Sequence, residues 1–233
     1  MDVTDRVRVW IVPVDVSPDT VASCWDALDD GERARAGAFR GALGRQRFTI
    51  AHGTLRILAA RELQTRPAAL TWITGRHGKP ELAPPWSGLH TSLSHSANMI
   101  AVALSRRRAV GIDIQHLVPG LDAVGLSARF FPPEEAGYVA AGGDANVRAD
   151  RFAYLWARKE AVVKAAGSRI GPNLGIAVRN RQIVNCTQPV SAHRVADVGA
   201  PPSYRAAVAL TGEAPFVIEA VSWPNTVAAP TVN

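Results

Sequence analysis

The chain has 233 residues, 47% hydrophobic and 20% charged, which excludes a disordered or low-complexity protein and leaves room for one or two domains with a sizeable core. Its longest apolar run, Met99–Leu104, is too short to span a bilayer, and Asp2, Asp5, Pro13 and Asp15 break any secretory pattern near the start. With net charge +6, a pI near 10 and two cysteines, Cys24 and Cys186, far apart and without metal-ligand spacing, the sequence reads as a cytoplasmic protein with a polyanionic partner, not a membrane or disulfide-dependent one.

β-Branched residues predict a first strand over Val7–Val14. Helices follow over Thr20–Leu28 and about Gly44–Leu63. In the second, Phe48, Ala51, Leu55, Leu58 and Ala59 form a stripe at three-four spacing, and Arg45, Arg47, Arg56 and Arg61 decorate the rest. The stretch Arg33–Arg66 holds eight arginines against one acid, Glu62. Such a patch fits nucleic acid, a phosphorylated small molecule or an acidic protein, or is simply a solvated helix face.

Leu70–Thr74 reads as a short strand. The loop from Gly75 to Pro80 carries Arg76, His77 and Lys79 on a backbone able to wrap an anion. Strands near His90–Leu93 and Met99–Leu104 flank Ser94-His95-Ser96-Ala97-Asn98. The turn Arg106-Arg107-Arg108 leads into a further strand, Val110–Gln115, in what looks like a hairpin. Helices are predicted over Leu121–Arg129, Pro133–Ala140 and about Ala149–Ala166, the last ended by Gly167, Gly171 and Pro172. Strands return at Ile176–Arg179, Tyr204–Leu210 and Phe216–Trp223, and the tail after Pro224 reads as loose. This order gives an α+β fold of two halves with similar architecture, residues 1–105 and 106–233.

In the strand Val110–Gln115, Val110, Ile112 and Ile114 point one way, and Gly111, Asp113 and Gln115 the other. Asp113 and Gln115 thus offer two oxygens to one hard cation, and Gly111 leaves room for a ligand beside the backbone. The alternative is the wet face of an edge strand. On the last long helix Trp156, Glu160 and Lys164 recur at four-residue intervals. They form a helix-stabilising pair, or a charged cluster beside the buried seam of Leu155, Val162 and Val163 that a metal and a phosphate would satisfy. Only three of the 26 basic residues are lysines, Lys79, Lys159 and Lys164. In so arginine-rich a chain these positions are candidates for needing a compact ammonium. His95 is a candidate metal ligand, base or phosphate contact.

Gly78-Lys79-Pro80, Ser94-His95-Ser96, Gly111-Ile112-Asp113-Ile114, Arg129-Phe130-Phe131 followed by glutamates, and Trp156-x-x-Lys159-Glu160-Ala161-x-x-Lys164 occur in order. Together they resemble the 4′-phosphopantetheinyl transferases of the surfactin-synthetase type. The resemblance covers roughly Arg33–Gly171. It implies transfer of the phosphopantetheine arm of coenzyme A to a serine of an apo acyl or peptidyl carrier protein, releasing adenosine 3′,5′-bisphosphate. It also implies two pseudo-symmetric halves in one chain, with coenzyme A and Mg²⁺ in the cleft between them, and that two-halves length points to a monomer. By position it makes Asp113, Gln115 and Glu160 the metal ligands, with Gln115 standing where many members carry Glu. Lys164 would meet the α-phosphate. Arg47, Arg76, Lys79, Pro80, Ser94 and His95 would hold the nucleotide and its 3′-phosphate. The resemblance makes Glu160, or Glu135 through a water, the general base. Apolar carrier docking is expected from exposed residues near the Arg129–Phe131 segment. A basic nucleic-acid-binding protein and a coenzyme A-binding protein without catalysis are the competing readings. No membrane partner is expected.

Overall fold

The computed structural model describes residues 5–75, 79–187 and 190–223. Arg76, His77 and Gly78, and the tail expected to be loose, lie outside the described residues. The fold is α+β. Among the described residues no helix is long and apolar enough to cross a membrane.

The first strand, β1 (Asp5–Pro13), is central in its sheet and buries side chains on both faces, Trp10 and Val12 on one and Val7 and Val9 on the other. It pairs antiparallel with β5 (Met99–Ser105) and parallel with β10 (Phe216–Ala220), while β5 pairs with β4 (His90–Ser96) to complete the order β10-β1-β5-β4. The chain's last described strand therefore belongs to the sheet begun by its first. This crosses the expected division at residue 105.

Trp10, Val12, Ile100, Val102 and Leu104 face α3 (Ala42–Glu62), which packs Ile50, Ala51, Leu55, Leu58 and Ala59 against them. Each such buried large aliphatic side chain contributes about 1.5–3 kcal/mol of hydrophobic free energy. Helix α1 (Pro18–Ala27) lies so close to α3 at Gly53 that a Cβ there would stand 2.4 Å from the Cys24 carbonyl oxygen. The sequence reading missed α2 (Asp30–Gly37). It has one buried side chain, Ala36, hence no stripe, but its capping box is present: Asp29 and Glu32 each accept the other's backbone N–H.

Arg56 corrects a second expectation. It is not on a solvated face but fully buried, donating to Glu32, Asp29 and the carbonyls of Pro67 and Leu70. This arginine fastens α2 and the chain after α3 onto α3.

The second sheet has the order β6-β9-β8-β7, made of β6 (Val110–His116), β9 (Tyr204–Thr211), β8 (Val190–Val198) and β7 (Ile183–Thr187), all antiparallel. β6 is not the hairpin partner of β5, because it pairs with β9, 90 or so residues on. The hairpin is β4–β5, and β4 runs to Ser96, so Ser94 and His95 are strand residues rather than loop residues. Strands β7 and β8 were not foreseen. The segment Ile176–Arg179, expected as a strand, is irregular: Ile176 and Val178 are buried, but their backbone finds side-chain and turn partners instead of a neighbouring strand. The apolar faces of the two sheets meet through Val7, Val9, Ala101 and Ala103 on one side and Val110, Ile112, Ile114 and Val208 on the other.

The outer face of the second sheet is covered by α6 (Ala145–Ala165), with α4 (Ala123–Phe130) and α5 (Pro133–Ala140) beside it. Gly111 explains how closely α6 sits. A Cβ there would lie 2.0 Å from the Ala161 carbonyl oxygen and 2.4 Å from the Ala165 nitrogen. The glycine admits a helix to the strand, not a ligand as the sequence had indicated. Phe131 is likewise buried, stacked on Phe152 at 5.3 Å, which leaves Arg129 and part of Phe130 as the exposed surface of that segment.

Candidate active site

A cleft of about 930 Å³ opens where the edge of the first sheet meets the edge of the second, near the upper end of the usual range for a ligand site. Its walls come from five places: Glu32, Arg35 and His52 on α2 and α3; the hairpin of β2 (Trp72–Thr74) and β3 (Pro80–Leu82), with Lys79 before β3; Ser94 and His95 on β4; Asp113 and Gln115 on β6; and Trp156, Glu160 and Lys164 on α6. The period of two in β6 and of four in α6 thus delivers both predicted sets of side chains to one wall.

Asp113 is 5% exposed. Its Oδ1 accepts from the Ser94 hydroxyl at 2.6 Å and from Lys164 Nζ at 2.7 Å, while its Oδ2 is buried without a hydrogen-bond partner. Lys164 also donates to the Ile112 carbonyl at 3.2 Å. Burial pushes the Glu160 carboxyl above its ordinary value. Lys164 opposes that shift and the like charge of Asp113 adds to it. Two carboxylates near enough to repel, one with a vacant buried oxygen, are a donor set for a hard cation. Among the described residues no cluster of three or more His, Cys, Asp and Glu side chains could hold a metal. The set is therefore two carboxylates with the Gln115 amide beside them, which fits Mg²⁺, an ion that keeps several waters. Gln115 donates its amide N–H to the His116 carbonyl at 3.4 Å.

Lys79, just before β3, reaches across to the second sheet and its helix, donating to the Val110 carbonyl of β6 at 2.9 Å and to the Lys164 carbonyl near the end of α6 at 2.8 Å. Burial lowers its pKa to about 8, opposed by Glu81 and helped by Lys164. His95 is held below its ordinary value by partial burial and then by the positive charges of Arg47, Lys164 and His52. Arg47 has a buried Nε without a hydrogen-bond partner. Cationic groups thus gather around His95, an arrangement that an anion would relieve. Pro80 lines the cleft.

Glu135 is not on the cleft wall. It is 1% exposed, ion-paired at 2.6 Å with the fully buried Lys159, and accepts the backbone N–H groups of Val178 and Arg179 at 2.5 and 2.8 Å. Lys159 also donates to the Ile176 carbonyl and stands 4.6 Å over the Phe131 ring. The expected role of Glu135 as a base acting through water is replaced by that of a strut joining α5, α6 and the segment 176–179.

The 4′-phosphopantetheinyl transferase superfamily profile matches residues 109–213, a span that includes β6, α6 and their motif residues. The chain is 34% identical over 169 residues to the 4′-phosphopantetheinyl transferase HetI of Nostoc sp., covering 72% of this chain and 71% of that protein. The chain belongs to the 4′-phosphopantetheinyl transferase superfamily. A putative 4′-phosphopantetheinyl transferase of Synechocystis sp. is 31% identical over 172 residues, 72% of this chain and 67% of its own length. The 4′-phosphopantetheinyl transferase Sfp of Bacillus subtilis is 29% identical over 123 residues, about half of each chain.

As a phosphopantetheinyl transferase, the protein has three cleft residues that the sequence reading did not single out. His52 stacks on Phe48 with ring centroids 4.1 Å apart and lies 3.4 Å from Glu32. Arg35 stands 5.0 Å over the Phe48 ring, and Trp72 forms the far wall. The arginine-rich stretch contained a signal for Arg35. His52 and Trp72 are isolated in sequence and become neighbours only through the fold.

Proposed function

We propose that this chain transfers 4′-phosphopantetheine from coenzyme A to a serine of an apo acyl or peptidyl carrier protein in a Mg²⁺-dependent reaction that releases adenosine 3′,5′-bisphosphate. The observation that carries the reading is the pairing of Asp113, with its unpartnered buried Oδ2, and Glu160, with its raised pKa, beside Lys164 on one wall. Asp113 and Glu160, with Gln115 beside them, hold the ion, which supplies charge neutralisation at the pyrophosphate oxygens when bound. Lys164 meets the α-phosphate. Arg47, Arg76, Lys79, Pro80 and His95 hold the nucleotide and its 3′-phosphate.

The carrier serine oxygen forms a bond to the β-phosphorus and the bond from that phosphorus to the bridging oxygen breaks. The serine proton passes to Glu160, the glutamate on the cleft wall, since Glu135 is buried away from it. One chain supplies every group named, which supports a monomer, and the two free, buried cysteines fit a reducing cytoplasm.

Incubation with coenzyme A, Mg²⁺ and a panel of apo carriers, read by intact mass, tests this. One carrier or more gains a single phosphopantetheine, and Asp113→Ala or Glu160→Ala abolishes the gain while the variant stays folded. No mass gain on any acyl or peptidyl carrier, or near wild-type turnover in either variant at saturating Mg²⁺, overturns it.

A further inference from the structure

Sequence position had put Ser94 among the nucleotide contacts. The geometry gives its hydroxyl another use. In β4, Ser92, Ser94 and Ser96 alternate and therefore share a face, and that face lies along β6. The hydroxyl of Ser92 accepts the Ile112 N–H at 3.0 Å, and that of Ser96 accepts the His116 N–H at 3.0 Å. The row does what a paired strand would do for the open edge of β6. Between these two anchors, Ser94 reaches a side chain instead of the backbone: it donates to Asp113 Oδ1 at 2.6 Å in a buried, charge-assisted bond.

We propose that Ser94 is a positioning residue for the cation site. Resting on the reading of Asp113 as an ion ligand, its hydroxyl and the Lys164 ammonium hold Oδ1 between them and leave Oδ2 as the oxygen presented to the ion. Two observations converge on this. Both donors converge on the same oxygen, and Oδ2 is buried with no hydrogen-bond partner. A carboxylate gripped on one oxygen is preorganised, because rotation about its Cβ–Cγ bond would break both bonds. Outer hydrogen bonds of this kind typically change metal affinity by about 10–100-fold. Ser94 also stands on the first sheet while Asp113 stands on the second, so the ion site reports on the seating of one sheet against the other.

The test is direct ion binding together with kinetics. Mn²⁺ is titrated in the presence of coenzyme A and read by loss of the free-ion paramagnetic resonance signal beyond that caused by coenzyme A alone. Ser94→Ala weakens Mn²⁺ binding about tenfold, raises the Mg²⁺ concentration for half-maximal rate in parallel, and leaves the KM for coenzyme A at saturating Mg²⁺ within about twofold. Ser94→Thr, which keeps the hydroxyl, restores Mn²⁺ affinity. Unchanged Mn²⁺ affinity in Ser94→Ala with a raised KM for coenzyme A makes Ser94 a nucleotide contact and overturns the proposal, as do unchanged values of both. Asp113→Asn separates the two levels of the argument. If it loses Mn²⁺ binding while Ser94→Ala keeps it, only the role of Ser94 falls. If it binds Mn²⁺ as the wild type does, the ion site itself is wrong and the proposal falls with it.

Discussion

Lys79, Lys159 and Lys164 each place an ammonium where it donates to a backbone carbonyl as well as facing another polar group. A planar guanidinium is broader and its donors are fixed in a fork, so it fits none of these crowded, differently directed sites as well. That the chain keeps lysine only here was legible in composition. That the three divide into a clamp on β6 and α6, a buried strut and a cleft cation was not, since their partners lie up to 85 residues away. Glu135 shows the same limit: its motif position put it near the chemistry, whereas its bonds to residues 159, 178 and 179 remove it from the cleft. Glu135→Ala strands a buried ammonium and two backbone N–H groups. It should cost about 3–5 kcal/mol of stability in denaturant unfolding, with turnover per folded molecule largely retained. A loss of turnover without a loss of stability would return Glu135 to the reaction. Gln115 makes the opposite case, an uncharged donor beside two carboxylates. Gln115→Glu should lower the Mg²⁺ concentration for half-maximal rate roughly threefold, and an unchanged requirement would show that this side chain does not face the ion.

At the level of elements, periodicity was informative where a face is buried. The stripe of α3 is the face packed on the first sheet, and the four-residue series of α6 and the alternation of β6 bring Trp156, Glu160, Lys164, Asp113 and Gln115 to one cleft. It failed where an element is short or its partner distant. Helix α2 buries one residue, β3 is three residues long and begins with proline, and β6 pairs with a strand far along the chain. Gly111 belongs at this scale, because one missing methyl sets the distance between α6 and β6 and so the reach of Glu160 and Lys164 to Asp113. Gly111→Ala should destabilise by at least the ~1–3 kcal/mol of core overpacking and depress kcat in the fraction that remains folded. A stable, fully active alanine variant would mean that α6 gives way freely. The clamp of α2 on α3 gives a pH signature. Burial raises the Glu32 pKa, but hydrogen bonds from His52 and Arg56, the Arg56 charge and the Asp29 N–H together bring it below its usual 4.5. The unfolded chain then binds the proton first, so this contribution is complete above pH 4.5 and is lost as pH falls through the lowered folded value. The midpoint of thermal unfolding should decline in that window for the wild type and less steeply for Glu32→Gln, and parallel declines would remove Glu32 from the account.

Over the whole molecule the net charge of +6 is distributed unevenly by the fold. Arg56 is buried and neutralised in α3, and Arg106, Arg107 and Arg108 pair with Glu62 and Asp5. Arg40, Arg45 and Arg66 remain exposed. If the carrier is acidic, these set its encounter rate, and the KM for the carrier should rise several-fold between low and physiological salt while that for coenzyme A changes little. Arg40→Glu should raise the low-salt value in the same direction. A carrier KM that is flat with salt would assign docking to apolar contact alone.

The return of β10 to lie beside β1 bears on the order in which the protein is made. Until residues 216–220 leave the ribosome, β1 has one unpaired edge, and its Val7 and Val9 face waits for β6 and β9. A nascent chain ending near residue 105 holds an unfinished sheet, with the edges of β1 and β4 both open and one apolar face bare. The two segments made separately should therefore be sticky alone and soluble together, assembling into an active pair. The strand that completes the first sheet comes after every strand of the second, so the first half acquires a finished surface only once the second sheet has been made.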